Sequence, residues 1–269
     1  MSKKINIFTL HNLINYSSEQ IILFGLLNDL KNINIDSTQF NYNNQSRYEN
    51  VINTCKTLFN YVENVEDCDI IVLPYKYKGN KDNVFNTLYR LSKQHNKDLY
   101  FFFNDDYDKK LFYDEENVKI FRTSFYKSFK QNNEFSIPAF SPDYFENNIL
   151  INPKLSIGYC GHKIHNREKY IDLFEQSDID IDFILRNGFW APGVDKNVAR
   201  KEYIENINNN LFTFCYRGAG NFSYRFYDVL MMGRIPILIN TDCVFPFENN
   251  YDLKDNCIMF YEKELYNIN

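Results

Sequence analysis

The chain has no run near the ~20 consecutive apolar residues that a membrane-spanning helix needs. Its N-terminus, Met1-Ser2-Lys3-Lys4-Ile5-Asn6-Ile7-Phe8, enters a strand pattern at once. His11, Asn12 and Asn15 follow, so no signal-peptide core forms. There is no excess of positive charge: 30 Lys and Arg stand against 35 Asp and Glu, a net charge of −5. That argues against a nucleic-acid backbone as partner. A nucleotide is not excluded, because a local arginine pair can bind phosphates inside an acidic protein. Six cysteines, at 55, 68, 160, 215, 243 and 257, form no C-x-x-C pair, and several lie in apolar runs. They read as reduced, buried thiols of a cytoplasmic protein. Tryptophan occurs once, whereas Phe occurs 25 times and Tyr 21 times. With Asn, Lys and Ile also abundant, this reads as AT-rich coding bias and not as a set of sugar-stacking platforms.

Prolines are few, and three of the seven (Pro138, Pro142 and Pro153) fall close together. They mark the best domain boundary, with expected domains at 1–140 and 154–269. In the first half, strands are expected at Lys4–Leu10, Asp69–Pro74, Leu99–Phe103 and Val118–Arg122, with a short one at Ile33–Ile35. Helices are expected after a Ser17-to-Gln20 capping box, over Tyr48–Tyr61 and over Lys81–Gln94. The second half restarts the alternation. Strands are expected at Leu155–Cys160, Ile181–Leu185, Leu211–Tyr216 and Ile235–Ile239, and helices at Asn166–Gln176 and Lys196–Asn208. Alternating strands and helices argue for parallel, helix-covered sheets whose ligands sit at the carboxyl ends of the strands.

The most informative segment is 211–247. An apolar strand runs into Arg217-Gly218-Ala219-Gly220, and a helix begins near Asn221 or Ser223, both good N-caps. That helix carries Arg225 and Asp228 and stops at Gly233, where a left-handed cap suits glycine. A second buried strand follows. Strand, glycine turn and helix N-terminus together can hold a phosphate: the first-turn N–H groups are unpaired and the helix dipole favours an anion. Backbone N–H groups from Gly218 to Ser223, the Ser223 hydroxyl, and the charge of Arg217 or Arg225 are the expected contacts. From spacing alone, Arg225 and Asp228 read equally well as a surface ion pair.

This segment resembles the exostosin-like glycosyltransferases, glycosyltransferase family 47. The resemblance rests on Arg217-Gly218, the Ser223-x-Arg225-x-x-Asp228 helix, Gly233-Arg234-Ile235-Pro236 and Pro246-Phe247, with Asp228 where the family has glutamate. Looser matches are Asp67 to Pro74, Lys119 to Ser124, Ser156 to Gly161 with Arg167, and Asp182 to Arg186. The resemblance implies a GT-B fold: two Rossmann-like α/β domains with parallel sheets, the first binding the acceptor and the second the nucleotide sugar. It implies inverting, metal-independent transfer of a sugar from a nucleotide diphosphate, with UDP as the expected carrier, to a glycan hydroxyl. Donor contacts then fall to Arg217, Gly218, Gly220, Ser223, Arg225 and Asp228 (on the ribose), with Arg167 as a further phosphate contact.

An inverting enzyme also needs a base. Asp105, which ends a strand with Asp106, is one candidate, though Asp105-Asp106 reads more readily as a polar turn or helix N-cap. His11, after the first strand, is the other. Asp178-x-Asp180-x-Asp182 contains the metal signature of another transferase fold, but it precedes its strand and looks like a water-facing edge, so no metal is expected there. Cys160, His162 and His165 lack an evident fourth ligand for zinc.

Two alternatives remain. One is a GT-B fucosyltransferase using GDP-fucose, against which Ser223-Tyr-Arg225 replaces the Glu-Lys pair. The other is an inactive nucleotide- or glycan-binding module. The sequence ends soon after its last recognisable element, which leads to the expectation of a truncated chain or of a protein partner in a glycan-synthesis complex.

Overall fold

The structure, a computed structural model, describes residues 3–13, 57–79, 81–113, 115–139, 144, 152–164, 166–188, 191–248 and 250–265. The expected helix after Ser17 and the strand at Ile33–Ile35 lie outside the described residues. The chain divides into two compact units, Met1–Phe125 with Phe129–Ile137, and Tyr126–Ser128 with Pro138–Asn269.

The first unit is built on a six-stranded sheet. Its strands are β1 (Ile5–Phe8), β2 (Phe59–Tyr61), β3 (Ile70–Lys76), β4 (Asp98–Phe103), β5 (Val118–Arg122) and β6 (Glu134–Ser136). The order is β2-β1-β3-β4-β5-β6, and every pairing is parallel. Helix α1 (Asn83–His95) lies between β3 and β4 in sequence. Asp82 caps it by accepting from Phe85 N at 3.0 Å, and Asn96 in the left-handed region ends it. Its apolar face puts Phe85 and Leu88 among Leu73, Leu99, Phe101 and Ile120. Truncating Leu88, which is fully buried, to Ala would cost about 2–5 kcal/mol.

One expectation fails here. Phe59–Tyr61 is the strand β2, not the end of a helix over Tyr48–Tyr61; only Thr57 and Leu58 before it are helical among the described residues. Val51, Leu58 and Tyr61 have helical spacing, but pairing with Ile5–Ile7 of β1 gives the backbone of Phe59–Tyr61 parallel ladder partners.

The second unit is built on a five-stranded parallel sheet, ordered β11-β10-β9-β7-β8. These strands are β7 (Lys154–His162), β8 (Ile181–Arg186), β9 (Asn210–Cys215), β10 (Ile235–Asn240) and β11 (Ile258–Tyr261). The helices are α2 (Arg167–Glu175), α3 (Lys196–Asn209), α4 (Tyr224–Met231) and the single turn α5 (Glu262–Leu265). Strands β7 and β9 are neighbours, and each is followed by a turn into a helix, α2 and α4 respectively.

Buried polar groups fasten α3 beneath β7 and β8. Asn206 Nδ2 donates to the Asp182 carbonyl (2.8 Å), and Asn210 Nδ2 donates to Asp182 Oδ2 (2.8 Å) and Asn206 O (2.7 Å). Gly158 permits this close approach: a Cβ there would lie 2.9 Å from Asn206 Oδ1 and from Asn210 Nδ2. Gly233, with φ at 62°, ends α4, and Arg234 ties that end to Asn208 through two bonds to its carbonyl, at 3.1 and 2.8 Å. Both units are thus α/β with parallel sheets. No helix among the described residues is long and apolar enough to cross a membrane.

Candidate functional site

Helices α2 and α4 differ from α1 and α3 at their N-termini. Asp82 caps α1, and Asp195 caps α3 by accepting from Asn197 N and Val198 N. The cap residues of α2 and α4, Asn166 and Ser223, make no side-chain cap hydrogen bond. Both helices start beyond the carboxyl ends of neighbouring strands, β7 and β9. Their first-turn N–H groups therefore face that edge without a side-chain acceptor, and the positive ends of two helix dipoles lie there.

Each of these N-termini carries an arginine drawn back into the fold. Arg225, in the first turn of α4, lies over the Tyr159 ring at 4.2 Å from its centroid and 5.7 Å from that of Tyr203. Its Nη2 donates to the Cys160 carbonyl at 2.6 Å, while Nε is buried without a partner. Gly161 makes room for it: a Cβ on Gly161 would stand 2.6 Å from Arg225 Nη2. Arg167, the first residue of α2, is 9% exposed. Its Nη2 donates to the Arg217 carbonyl (2.7 Å) and its Nη1 to the His162 carbonyl (3.3 Å), and its Nε is also buried and unpartnered.

The two guanidinium groups repel each other. Burial lowers the Arg167 pKa, Tyr159 raises it, and the like charge of Arg225 lowers it again, for a net fall. Carboxylates pair with Arg122 and Arg186. Among the described residues none lies within ion-pair distance of Arg167 or Arg225.

Arg217 extends the cluster. Its Nη1 donates to the Tyr126 hydroxyl (2.5 Å) and its Nη2 to the Ala219 carbonyl (2.9 Å). Tyr126–Ser128 packs on the loop after β10, where Lys127 N donates to the Asp242 carbonyl and Ser128 N to Asp242 Oδ2. Arg217, Ser223 and Thr241 also line a small open recess together with Phe226, Tyr227 and Phe245.

Other expected donor contacts sit differently. Gly218 N–H does not face outward but donates to the Phe222 carbonyl (2.9 Å), closing the turn. Gly220 is buried, and the adjacent Asn221 accepts from the Thr241 hydroxyl at 2.6 Å. Asp228 is 4% exposed and makes no ion pair with Arg225; its Oδ2 accepts from the Tyr203 hydroxyl at 2.6 Å.

The two candidate bases belong to the first unit. His11 opens a short 3₁₀ turn after β1. Asp105 pairs with Lys76 and accepts from Tyr107 N (3.1 Å). Burial pushes the Asp105 pKa up, but the hydrogen bond and charge of Lys76 and the backbone N–H groups outweigh this, leaving it below the ordinary value. Asp105 is therefore a weak proton acceptor as it stands.

Of the aspartate triplets, Asp178 and Asp180 are exposed, and Asp182 is bonded to Asn210. Cys160 and His162 share β7; His165 lies outside the described residues. Sequence reading missed Tyr159, Tyr203 and the steric role of Gly161. A glycine at the end of a buried strand was the signal available for the last. No family model matches the chain, and no curated protein does.

Proposed function

We propose that this chain is a nucleotide-sugar-dependent glycosyltransferase of exostosin type, with the GT-B arrangement, whose second unit binds the donor diphosphate. The observation that carries this reading is the pair Arg167 and Arg225. Two guanidinium groups drawn into the fold, with no carboxylate in ion-pair contact among the described residues and beside two helix N-termini without a side-chain cap, suit a ligand with two or more negative charges.

A diphosphate leaving group needs this in sugar transfer. As the glycosidic bond to the donor breaks, charge grows on the β-phosphate, and fixed positive groups stabilise it most where water is excluded. Arg225, set by Tyr159 and the Cys160 carbonyl, and Arg167, set by the Arg217 and His162 carbonyls, are held before the ligand arrives. The acceptor hydroxyl belongs to the first unit in this reading, and the second product is a nucleoside diphosphate. The five free cysteines among the described residues suit a reducing, cytoplasmic setting.

The test is a titration of UDP-, GDP- and CMP-sugars against the wild type and Arg225→Ala, following melting temperature and donor hydrolysis. One nucleotide should stabilise the wild type and fail on the variant. No stabilisation by any of them refutes the reading. GDP-fucose as the sole stabiliser favours the fucosyltransferase alternative. Binding with neither hydrolysis nor transfer leaves a nucleotide-binding module.

A further inference from the structure

Asp228 stands where the resemblance expects a ribose contact, yet its carboxylate is turned into the fold. It is 4% exposed, and Oδ2 accepts from the Tyr203 hydroxyl at 2.6 Å. Tyr203 belongs to α3, and its ring has the guanidinium of Arg225 5.7 Å from its centroid and that of Arg200 at 5.3 Å. Removal from water and the nearby Asp228 carboxylate push the Tyr203 pKa well up, so the phenol keeps its proton and donates. A charge-assisted bond of this kind is about twice as strong as a neutral one. Arg225 donates to the Cys160 carbonyl through Nη2. Its orientation otherwise depends on the aromatic walls, Tyr159 on one ring and Tyr203 on the other.

We propose that Asp228 is a positioning residue for the phosphate-binding arginine: it anchors Tyr203, and Tyr203 sets the Arg225 guanidinium. This rests on the phosphate reading above and departs from it in taking Asp228 off the ribose. One carboxylate then serves the anion site without touching the ligand, and its negative charge lies behind a phenol and not beside the phosphates.

The experiment uses the full chain and two probes, inorganic pyrophosphate and a set of nucleosides (uridine, cytidine and guanosine), with affinities from calorimetry. The variants are Asp228→Asn, Tyr203→Phe and the two combined, with Arg225→Ala as reference and melting curves for each. The expected result is that each single change weakens pyrophosphate about 5- to 10-fold, that the double change is no worse than the weaker single, and that nucleoside affinity is unchanged. Loss of a nearby negative charge alone would tighten pyrophosphate, so tightening by Asp228→Asn overturns the proposal. So does a loss of nucleoside affinity with pyrophosphate unaffected, the mark of a ribose contact. Tyr203→Phe removes a single oxygen and keeps the test decisive if Asp228→Asn does not fold; unchanged pyrophosphate binding by Tyr203→Phe refutes the proposal alone. Wild type that fails to bind pyrophosphate overturns the phosphate reading and this proposal with it, and is distinguished by Arg225→Ala having nothing to lose.

Discussion

Substituting Gly161 by alanine should separate binding from stability. The added Cβ would lie 2.6 Å from Arg225 Nη2, 3.2 Å from the Tyr159 hydroxyl and 3.3 Å from Tyr159 Cζ. Ordinary contact begins near 3.4 Å, so Arg225 must retreat by close to an ångström, whereas Tyr159 is short by only one or two tenths. Arg225 is the side chain that can move, because Tyr159 is fully buried and donates to the His162 carbonyl at 2.7 Å. The retreat strains or breaks the 2.6 Å bond to Cys160, a charge-assisted bond of about 1.5–3 kcal/mol. Against this, Gly→Ala stabilises by about 0.4–1 kcal/mol through the unfolded chain. The net loss of stability is about 0.5–2.5 kcal/mol. A displacement of this size at a phosphate contact costs at least tenfold in affinity, in line with the ~100-fold that a 1 Å misplacement can cost a reacting group. Urea unfolding and pyrophosphate calorimetry on the same preparation measure both. Pyrophosphate binding within twofold of wild type would refute the placement of Arg225 in the anion site.

In the first unit, Arg122 and Glu134 form a buried pair at 2.5 Å, with Arg122 Nη2 also donating to the Tyr107 and Lys109 carbonyls. Arg122→Met should cost about 3–5 kcal/mol in urea unfolding, and Arg122→Met with Glu134→Leu should recover part of that, because the stranded charge is gone. Glu262 Oε1 accepts from Lys169 (3.2 Å), Tyr170 (3.0 Å) and Tyr216 (2.8 Å). Burial raises its pKa, but these three bonds outweigh it and leave the carboxyl below its ordinary value. Its contribution is therefore full above the unfolded carboxylate pKa and disappears as pH falls through the lowered folded one. Glu262→Gln should cost about 1–3 kcal/mol near pH 7, and melting curves of the two proteins should converge as pH drops below about 4. Gly158→Ala should cost about 1–3 kcal/mol by overpacking, since Asn206 backbone O at 3.1 Å gives the new methyl no easy exit; thermal unfolding will show it.

The parallel α/β character of both units was legible because buried strands separated by amphipathic helices leave a strong local pattern. Val118–Arg122 was expected as a strand and is β5, although its buried face includes the charged Arg122, which no local pattern announces. Where sequence reading failed, the deciding partner was distant. Phe59–Tyr61 has helical spacing, and only β1, more than fifty residues earlier, makes it a strand. Glu134–Ser136 is too short and polar to announce itself, yet Ile120–Arg122 pairs with it. The arginine of α4 was legible from its helix. What holds it was not: Tyr159 and Gly161 come from β7 and Tyr203 from α3, and no local rule brings those three to one guanidinium. Asp228 was placed on the ribose by the resemblance alone, and its actual partner, the Tyr203 hydroxyl, comes from α3, 25 residues away.

The energetics of the arginine pair explain why such an arrangement persists. Removing a guanidinium from water costs several kcal/mol, and a second like charge nearby adds to that. The fold offsets part of it. Stacking on Tyr159 is worth about 2 kcal/mol when desolvated, and each bond to a backbone carbonyl about 1.5–3. Those bonds satisfy some N–H groups but bring no opposite charge, and the Nε groups of both residues remain without acceptors. Arg122 and Arg186, by contrast, are each paired with a carboxylate in this same chain, Glu134 and Glu202. Arg122 and Arg186 are neutralised internally, whereas Arg167 and Arg225 have no carboxylate in ion-pair contact among the described residues, the charge state that a bound anion would complete in the proposed reading.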